Sequence, residues 1–195
     1  MPAFSAPPRW AAWRHVAARE GFEVVFFERL PGGGLRLVGS TTAVEDDEAW
    51  LVGYSIDVDD GWATRSARIE SRSSSGARQV TLVSSRPGEW LVDGVPTPDL
   101  DGCVDVDLES SAMTNTLPVH RLDVATGELV AAPAAYVRVP DLRVERLEQT
   151  YRWATSADDE SRFDYTAPAF GVACVLSFDG AGLVQDYPGI ATRVA

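Results

Sequence analysis

From Phe22 to Tyr187 apolar residues recur at period two, and this alternation limits the chain to a β-sheet architecture. Its clearest instance is Ala49–Val58, where Trp50, Val52, Tyr54, Ile56 and Val58 alternate with Leu51, Gly53, Ser55 and Asp57. That is the pattern of a half-buried strand. Asp59-Asp60-Gly61 supplies turn chemistry after it, and Trp62–Ser71 reads as the hairpin partner. Gly32-Gly33-Gly34 separates Phe22–Arg29 from Leu35–Val44 in the same way. Further strands are predicted at Arg78–Ser84, Trp90–Asp93, Val104–Leu108, Ala135–Val139, Arg143–Trp153, Ser161–Thr166, Gly171–Phe178 and Leu183–Tyr187. Pro87-Gly88, Asp93-Gly94, Thr126-Gly127 and Asp179-Gly180 mark turns between them. Helical signal is scarce. Arg9–Arg19 suits a short amphipathic helix first, with an extended Trp13–Val16 leading into Phe22 close behind, and Ser110 or Ser111 can cap a short turn running toward Asn115. With 195 residues and no linker or repeat, the expectation is one β-rich domain over 1–195, its first nine residues flexible.

Charge and composition remove several functions. The formal net charge is −12, unsuited to nucleic acid, whose phosphates require clustered cations. All 17 basic residues are arginine. Schiff-base chemistry, pyridoxal phosphate anchoring and a phosphate-loop lysine are therefore excluded. Cys103 and Cys174, the only cysteines, lie in apolar runs and are expected to be buried, reduced thiols. No apolar run reaches the eighteen or so residues of a membrane span, and the N-terminus lacks a charged region followed by an apolar one. A cytoplasmic protein without integral membrane association is expected.

The densest polar stretch is Gly102–Leu122. Asp105 and Asp107 sit two apart in a β-type run, which puts both carboxylates on one face, roughly 6–7 Å apart. Thr114, Asn115 and Thr116 follow, then a rigid Leu117-Pro118 step and the cationic pair His120-Arg121. The carboxylate pair has the spacing of an inverting glycosidase, but any Asp-x-Asp strand has it too; a structural pair held by Arg121 or Arg65 is the plainer reading. Asp99, Asp101, Asp105, Asp107 and Glu109 are hard oxygen donors, yet their spacing matches no calcium loop and reads as a solvated acidic edge. His15 and His120 are too isolated for a zinc motif. No metal or other cofactor is expected. A Cys103–His120 nucleophile is disfavoured by the apolar, acidic setting of the thiol. Neutral hydroxyls and an amide in Thr114–Thr116 suit sugar hydroxyls, or serve only to hold the loop shut.

Trp50, Tyr54, Trp62, Trp90, Trp153, Phe163, Tyr165 and Phe170 are spread over separate strands. They fill the core of a two-layer sandwich, or line the concave side of one curved sheet.

The runs Gly102-Cys103-x-Asp105-Val106-Asp107-Leu108 and Thr114-Asn115-Thr116-Leu117-Pro118-x-x-Arg121-Leu122 resemble the signature of a bacterial glycolipid-binding family. Fainter echoes lie at Trp62-x-x-Arg65, Trp90-x-x-Asp93-Gly94 and Gly182-Leu183-Val184…Tyr187-Pro188. The resemblance implies an all-β fold: a single strongly curved antiparallel sheet, half-barrel-like, with few short helices, similar to lipoprotein localisation carriers. It also implies non-catalytic binding of a small amphipathic ligand, a glycolipid or related lipid, in an apolar groove with a polar end. Residues expected at such a site are Asp105, Asp107, Thr114, Asn115, Thr116, His120, Arg121, Trp62, Arg65, Trp50, Tyr54 and Tyr165. The alternatives are a hydrolase acting on a glycoconjugate through Asp105 and Asp107, or a structural or partner-binding module. Where the family more often has a Pro-Phe pair and an Arg, this chain has Ala112-Met113 and His120.

Overall fold

A computed structural model describes residues 4–17, 19–123, 125–157 and 160–195. The first half is a continuous meander: β1 (Trp10–His15), β2 (Glu20–Arg29), β3 (Leu35–Glu45), β4 (Glu48–Val58), β5 (Thr64–Ser73), β6 (Gly76–Arg86), β7 (Glu89–Val92) and β8 (Val95–Pro96). The last part runs through β13 (Thr150–Ala157), β14 (Glu160–Ala167), β15 (Val172–Phe178), β16 (Val184–Tyr187) and β17 (Ala191–Arg193). β17 pairs with β1, so the two meanders join in one sheet of fourteen antiparallel strands among the described residues. Its outer edges are β8 and β10 (Leu129–Ala131), and it does not close. Both edges are only two or three residues long, which leaves little unpaired backbone for another chain to extend.

Between the halves lies the segment that carries the signature. It forms β9 (Asp105–Leu108), a 3-10 turn at Met113–Asn115, α1 (Thr116–Arg121), β11 (Ala134–Val137) and β12 (Val144–Leu147). β9 and β12 flank β11 in a small second sheet, and the β9–β11 pairing is parallel. The large sheet curls round this insert, helped by bulges at Asp57/Val58, Ser84/Arg86 and Ser177/Phe178 that add local twist. Val106, Leu108, Met113 and Leu117 pack against Trp13, Leu37, Trp50 and Ile56 in one core. Val119, Tyr136 and Leu147 pack against Tyr151, Phe163, Tyr165 and Phe178 in the other. Each large side chain buried here stabilises the fold by about 1.5–3 kcal/mol.

The expected curved antiparallel sheet is therefore present, and the alternation in β4 puts Trp50, Val52, Tyr54, Ile56 and Val58 inward as read. Several local expectations need correction. Arg9–Arg19 contains a strand, because Ala11, Trp13 and His15 alternate inward and Trp13 Nε1 donates to the Val184 carbonyl at 2.7 Å. Arg143–Trp153 is two strands in two sheets, broken at Glu148-Gln149. There the Gln149 carbonyl accepts from Ala132 N–H and its side chain from the Tyr165 hydroxyl. Cys103 is buried, but Cys174 is only half-buried: it shares the inward face of β15 with Leu176 and Phe178 and packs at the margin of the second core. The concave face is also no open groove. The insert covers it, and Trp50, Tyr54 and Trp90 are core residues 2–6% exposed.

Candidate functional site

The insert is docked onto the large sheet by Glu23, a fully buried carboxyl on β2. It accepts from the Tyr54 hydroxyl at 2.6 Å, from the Ser111 hydroxyl, and from the Ala112 and Met113 N–H groups at 2.8 and 3.3 Å. Tyr54 reaches it from β4 by lying across β3 at Gly39, where a Cβ would overlap the phenol ring. Burial raises the carboxyl's pKa, and the four donors oppose that rise. Thr41 adds a hydroxyl to the Ser110 carbonyl at 2.9 Å. Loop Ser110–Met113 is thus fixed by non-local partners.

β9 leads into that loop and presents two carboxyls in different settings. Asp105 is 1% exposed and held by Arg121 through three bonds, Nε to Oδ1 at 3.0 Å and to Oδ2 at 3.2 Å, and Nη2 to Oδ2 at 2.6 Å. Asp107 has no guanidinium; Thr114 donates its hydroxyl to Oδ1 at 2.7 Å. Burial, with Asp105 and Glu109 adding their charge, pushes Asp107 up to about 6. Tyr136, Tyr151, Tyr165 and Tyr187 all lie close enough for its charge to raise their own pKa values, although burial is the larger cause in each. Asn115 completes the group, accepting from the Tyr151 hydroxyl at 2.8 Å.

Asp107 and Asn115 open onto a cavity of about 220 Å³ between the insert and strands β14–β16. Its lining combines polar side chains, among them Asp107, Glu109, Asn115, Arg19 and Arg138, with apolar Leu147, Phe170, Val172 and Ile190 and the rings of Tyr136, Tyr165 and Tyr187. Arg138 is positioned by Glu145 at 2.8 Å and sits over the Tyr136 and Phe170 rings, its Cζ 5.8 and 5.4 Å from their centroids. Glu109 Oε2 accepts from Val139 N–H at 2.8 Å. The cavity's volume lies below the roughly 300–1,000 Å³ of a pocket for a drug-sized ligand, so it suits a head group and not a whole lipid. A second, larger recess of about 420 Å³ lies at the sheet rim, lined mainly by apolar atoms of Ala43, Val44, Ala49, Trp50 and Leu51. Arg19 lines the first cavity, and its guanidinium lies 5.1 Å from the centroid of Trp50, a residue that borders the recess.

The remaining expected site residues are elsewhere. Trp62 and His120 stack at 3.8 Å and 14° beside a different polar depression, with Phe4 tilted against the imidazole. His120 Nε2 contacts the Ala181 carbonyl at 2.9 Å, and burial pushes the ring down to about 4. Arg65 pairs with Asp59 at 2.5 Å, leaving Asp105 to Arg121 alone. Thr116 is buried with its hydroxyl unpartnered among the described residues. Asp107, Asn115 and Tyr165 are thus brought together at the cavity, Thr114 supports them, and Asp105–Arg121 forms a closed pair behind. Arg19, Glu23, Glu109, Tyr136, Arg138 and Tyr187 were not among the expected site residues. Glu109 was read only as part of a solvated acidic edge, and Tyr187 stood in the faint echo ending at Pro188; the other four carried no sequence signal. Among the described residues no cluster of His, Cys, Asp or Glu is placed to hold a metal, and no helix is long and apolar enough to cross a membrane.

A family model described as "Putative glycolipid-binding" matches residues 10–193. A crystal structure of a DUF1089 family protein from Pseudomonas aeruginosa superposes with a TM-score of 0.77 at 27% identity, covering 100% of this chain and 97% of that one. A β-barrel-like protein of the DUF1849 domain from Brucella abortus aligns with a TM-score of 0.54 at 12% identity, over 98% of this chain and 96% of that one, a likeness of fold alone. No curated protein matches the chain.

Proposed function

The chain belongs to the glycolipid-binding family, and from that premise we propose that it binds an amphipathic glycolipid without transforming it, the polar head in the Asp107 cavity and part of the apolar chain in the rim recess beside Trp50. The observation that carries this reading is the mixed lining of the cavity, aromatic, polar and apolar together. Tyr136, Tyr165 and Tyr187 offer flat rings for a sugar face. Asp107 and Asn115 offer a carboxyl and an amide to sugar hydroxyls, which both give and take hydrogen bonds. Leu147, Phe170 and Val172 take the apolar side of the same molecule.

Binding without chemistry is favoured because Asp105, the second half of the carboxylate pair, is sealed by Arg121 and lines no part of the cavity. One observation favours hydrolysis as a second reading: Asp107 at about 6 is tuned as a general acid would be. Titration of octyl glucoside below its micelle concentration, followed by tryptophan fluorescence and calorimetry, tests the first. Saturable binding that falls at least tenfold in Val172→Trp, which fills the cavity, is expected. Equal binding by that variant would remove the cavity from the function, and release of octanol from the bound glucoside would favour the hydrolase.

A further inference from the structure

Among the described residues Arg19 is the cation of the cavity wall with the weaker set of partners. Its side chain is 8% exposed, and its Nε, though buried, has no hydrogen-bond partner among the described residues. The nearest carboxylate oxygen, Glu45 Oε2, is 3.7 Å from Nε, and Nη1 reaches the Glu109 carbonyl only at 3.4 Å. Arg138, the other cation of the wall, is held by Glu145 at 2.8 Å, and Arg121 is consumed by Asp105. A guanidinium withdrawn from water is costly unless its five N–H groups are met. Arg19 therefore presents unused donors to the polar cavity, beside Trp50.

Resting on the reading of the cavity as a head-group site, we infer that the ligand carries an anionic oxygen group, a carboxylate, phosphate or sulfate, and that Arg19 is the residue that binds it. A planar guanidinium meets two oxygens of such a group at once, a geometry an ammonium does not offer. The other two acids of the wall define where the anion goes. Asp107 and Glu109 repel it and serve the neutral hydroxyls, so the charged group seats at the Arg19 end, over Trp50, next to the recess. The specificity follows: an acidic amphiphile is preferred to a neutral one with the same sugar and chain.

Octyl glucuronide and octyl glucoside differ only at C6, a carboxylate in one and a hydroxymethyl group in the other, and both are titrated against the wild type, Arg19→Gln and Arg19→Lys, with thermal melting as the control for folding. The wild type is expected to bind the glucuronide at least tenfold more tightly, with free glucuronate competing and the preference shrinking as salt is raised. In Arg19→Gln the two ligands should bind within twofold of each other, and Arg19→Lys should keep part of the preference. Wild-type protein that binds both amphiphiles alike, or Arg19→Gln that keeps the preference, overturns the assignment while leaving the head-group site standing. If Arg19→Gln does not fold, a wild-type preference insensitive to salt and to glucuronate overturns it as well. Binding of neither amphiphile, or full binding by Val172→Trp, removes the site itself and this inference with it.

Discussion

Asp107 meets one hydroxyl, from Thr114, where Asp105 two residues earlier meets a whole guanidinium. The consequence is a pH dependence with a definite sign. The carboxyl titrates near 3.8 when unfolded and at about 6 when folded. Between those values the folded protein binds a proton that the unfolded chain does not. The resulting stabilisation is complete below about 3.8 and is lost as the pH rises through 6; at 1.36 kcal/mol per unit it amounts to about 3 kcal/mol at most. His15 and His120 act oppositely. Burial holds both at about 4, so their contribution is present above 6.5 and lost as pH falls through 4. Comparison with Asp107→Asn cancels the histidines. Between pH 4 and pH 7 the stability of that variant relative to wild type should shift in the variant's favour by about 2–3 kcal/mol, measured by urea unfolding. A difference that stays flat with pH would mean that Asp107 is paired more strongly than Thr114 alone provides.

Strands β2, β3 and β4 act as a unit through one missing side chain. Gly39 lets the Tyr54 ring cross β3 to reach Glu23, and Glu23 in turn holds the Ser110–Met113 loop. Gly39→Ala places a methyl group where the ring lies, so the phenol must leave and the buried carboxyl loses a donor. Overpacking and an unmet polar group together predict a loss of about 2–4 kcal/mol in urea unfolding. Tyr54→Phe, which removes only the hydroxyl, should cost about 1–2 kcal/mol. Equal losses in the two variants would mean that the bond to Glu23, and not the ring position, is what matters. This device was invisible in the sequence because its three residues lie on three strands and none has a local pattern. The alternation of β4 was legible because period two is a property of one segment. Arg143–Trp153 was legible as strand but not as two strands, since the break follows from which sheet each half joins. Within the site, Asp107 and Asn115 stood out by local density. Arg19, Arg138 and Tyr136 arrive from β1–β2 and the insert only on folding, and Trp50 and Tyr54 are core because the insert lies over them.

At the scale of the molecule, the question is whether the insert is part of the core or a plug that a long acyl chain displaces. From Asp105 to Val119 every residue except Glu109 is buried. Glu23, Thr41 and Tyr151 fasten this stretch from both halves of the large sheet, and Arg121, one turn on, clamps Asp105. Removing it would expose Met113, Leu117 and the faces of Trp13, Trp50 and Phe163, along with a buried carboxyl on each side. Burial on that scale makes its opening as costly as global unfolding. The expectation for hydrogen exchange is therefore specific. Amides of Val106, Leu108, Leu117 and Val119 should exchange as slowly as those in the middle of β4, while residues around Arg19 and Thr126-Gly127 exchange far sooner. Saturating octyl glucoside should slow exchange next to the cavity, in Asn115 and β16, and leave β4 unchanged. Exchange of the insert more than 100-fold faster than β4, a gap of about 2.7 kcal/mol, would identify it as a separable plug. The concave face behind it, with Trp50, Tyr54 and Trp90, would then be an available lipid groove, and the ligand space would be far larger than the cavity at Asp107.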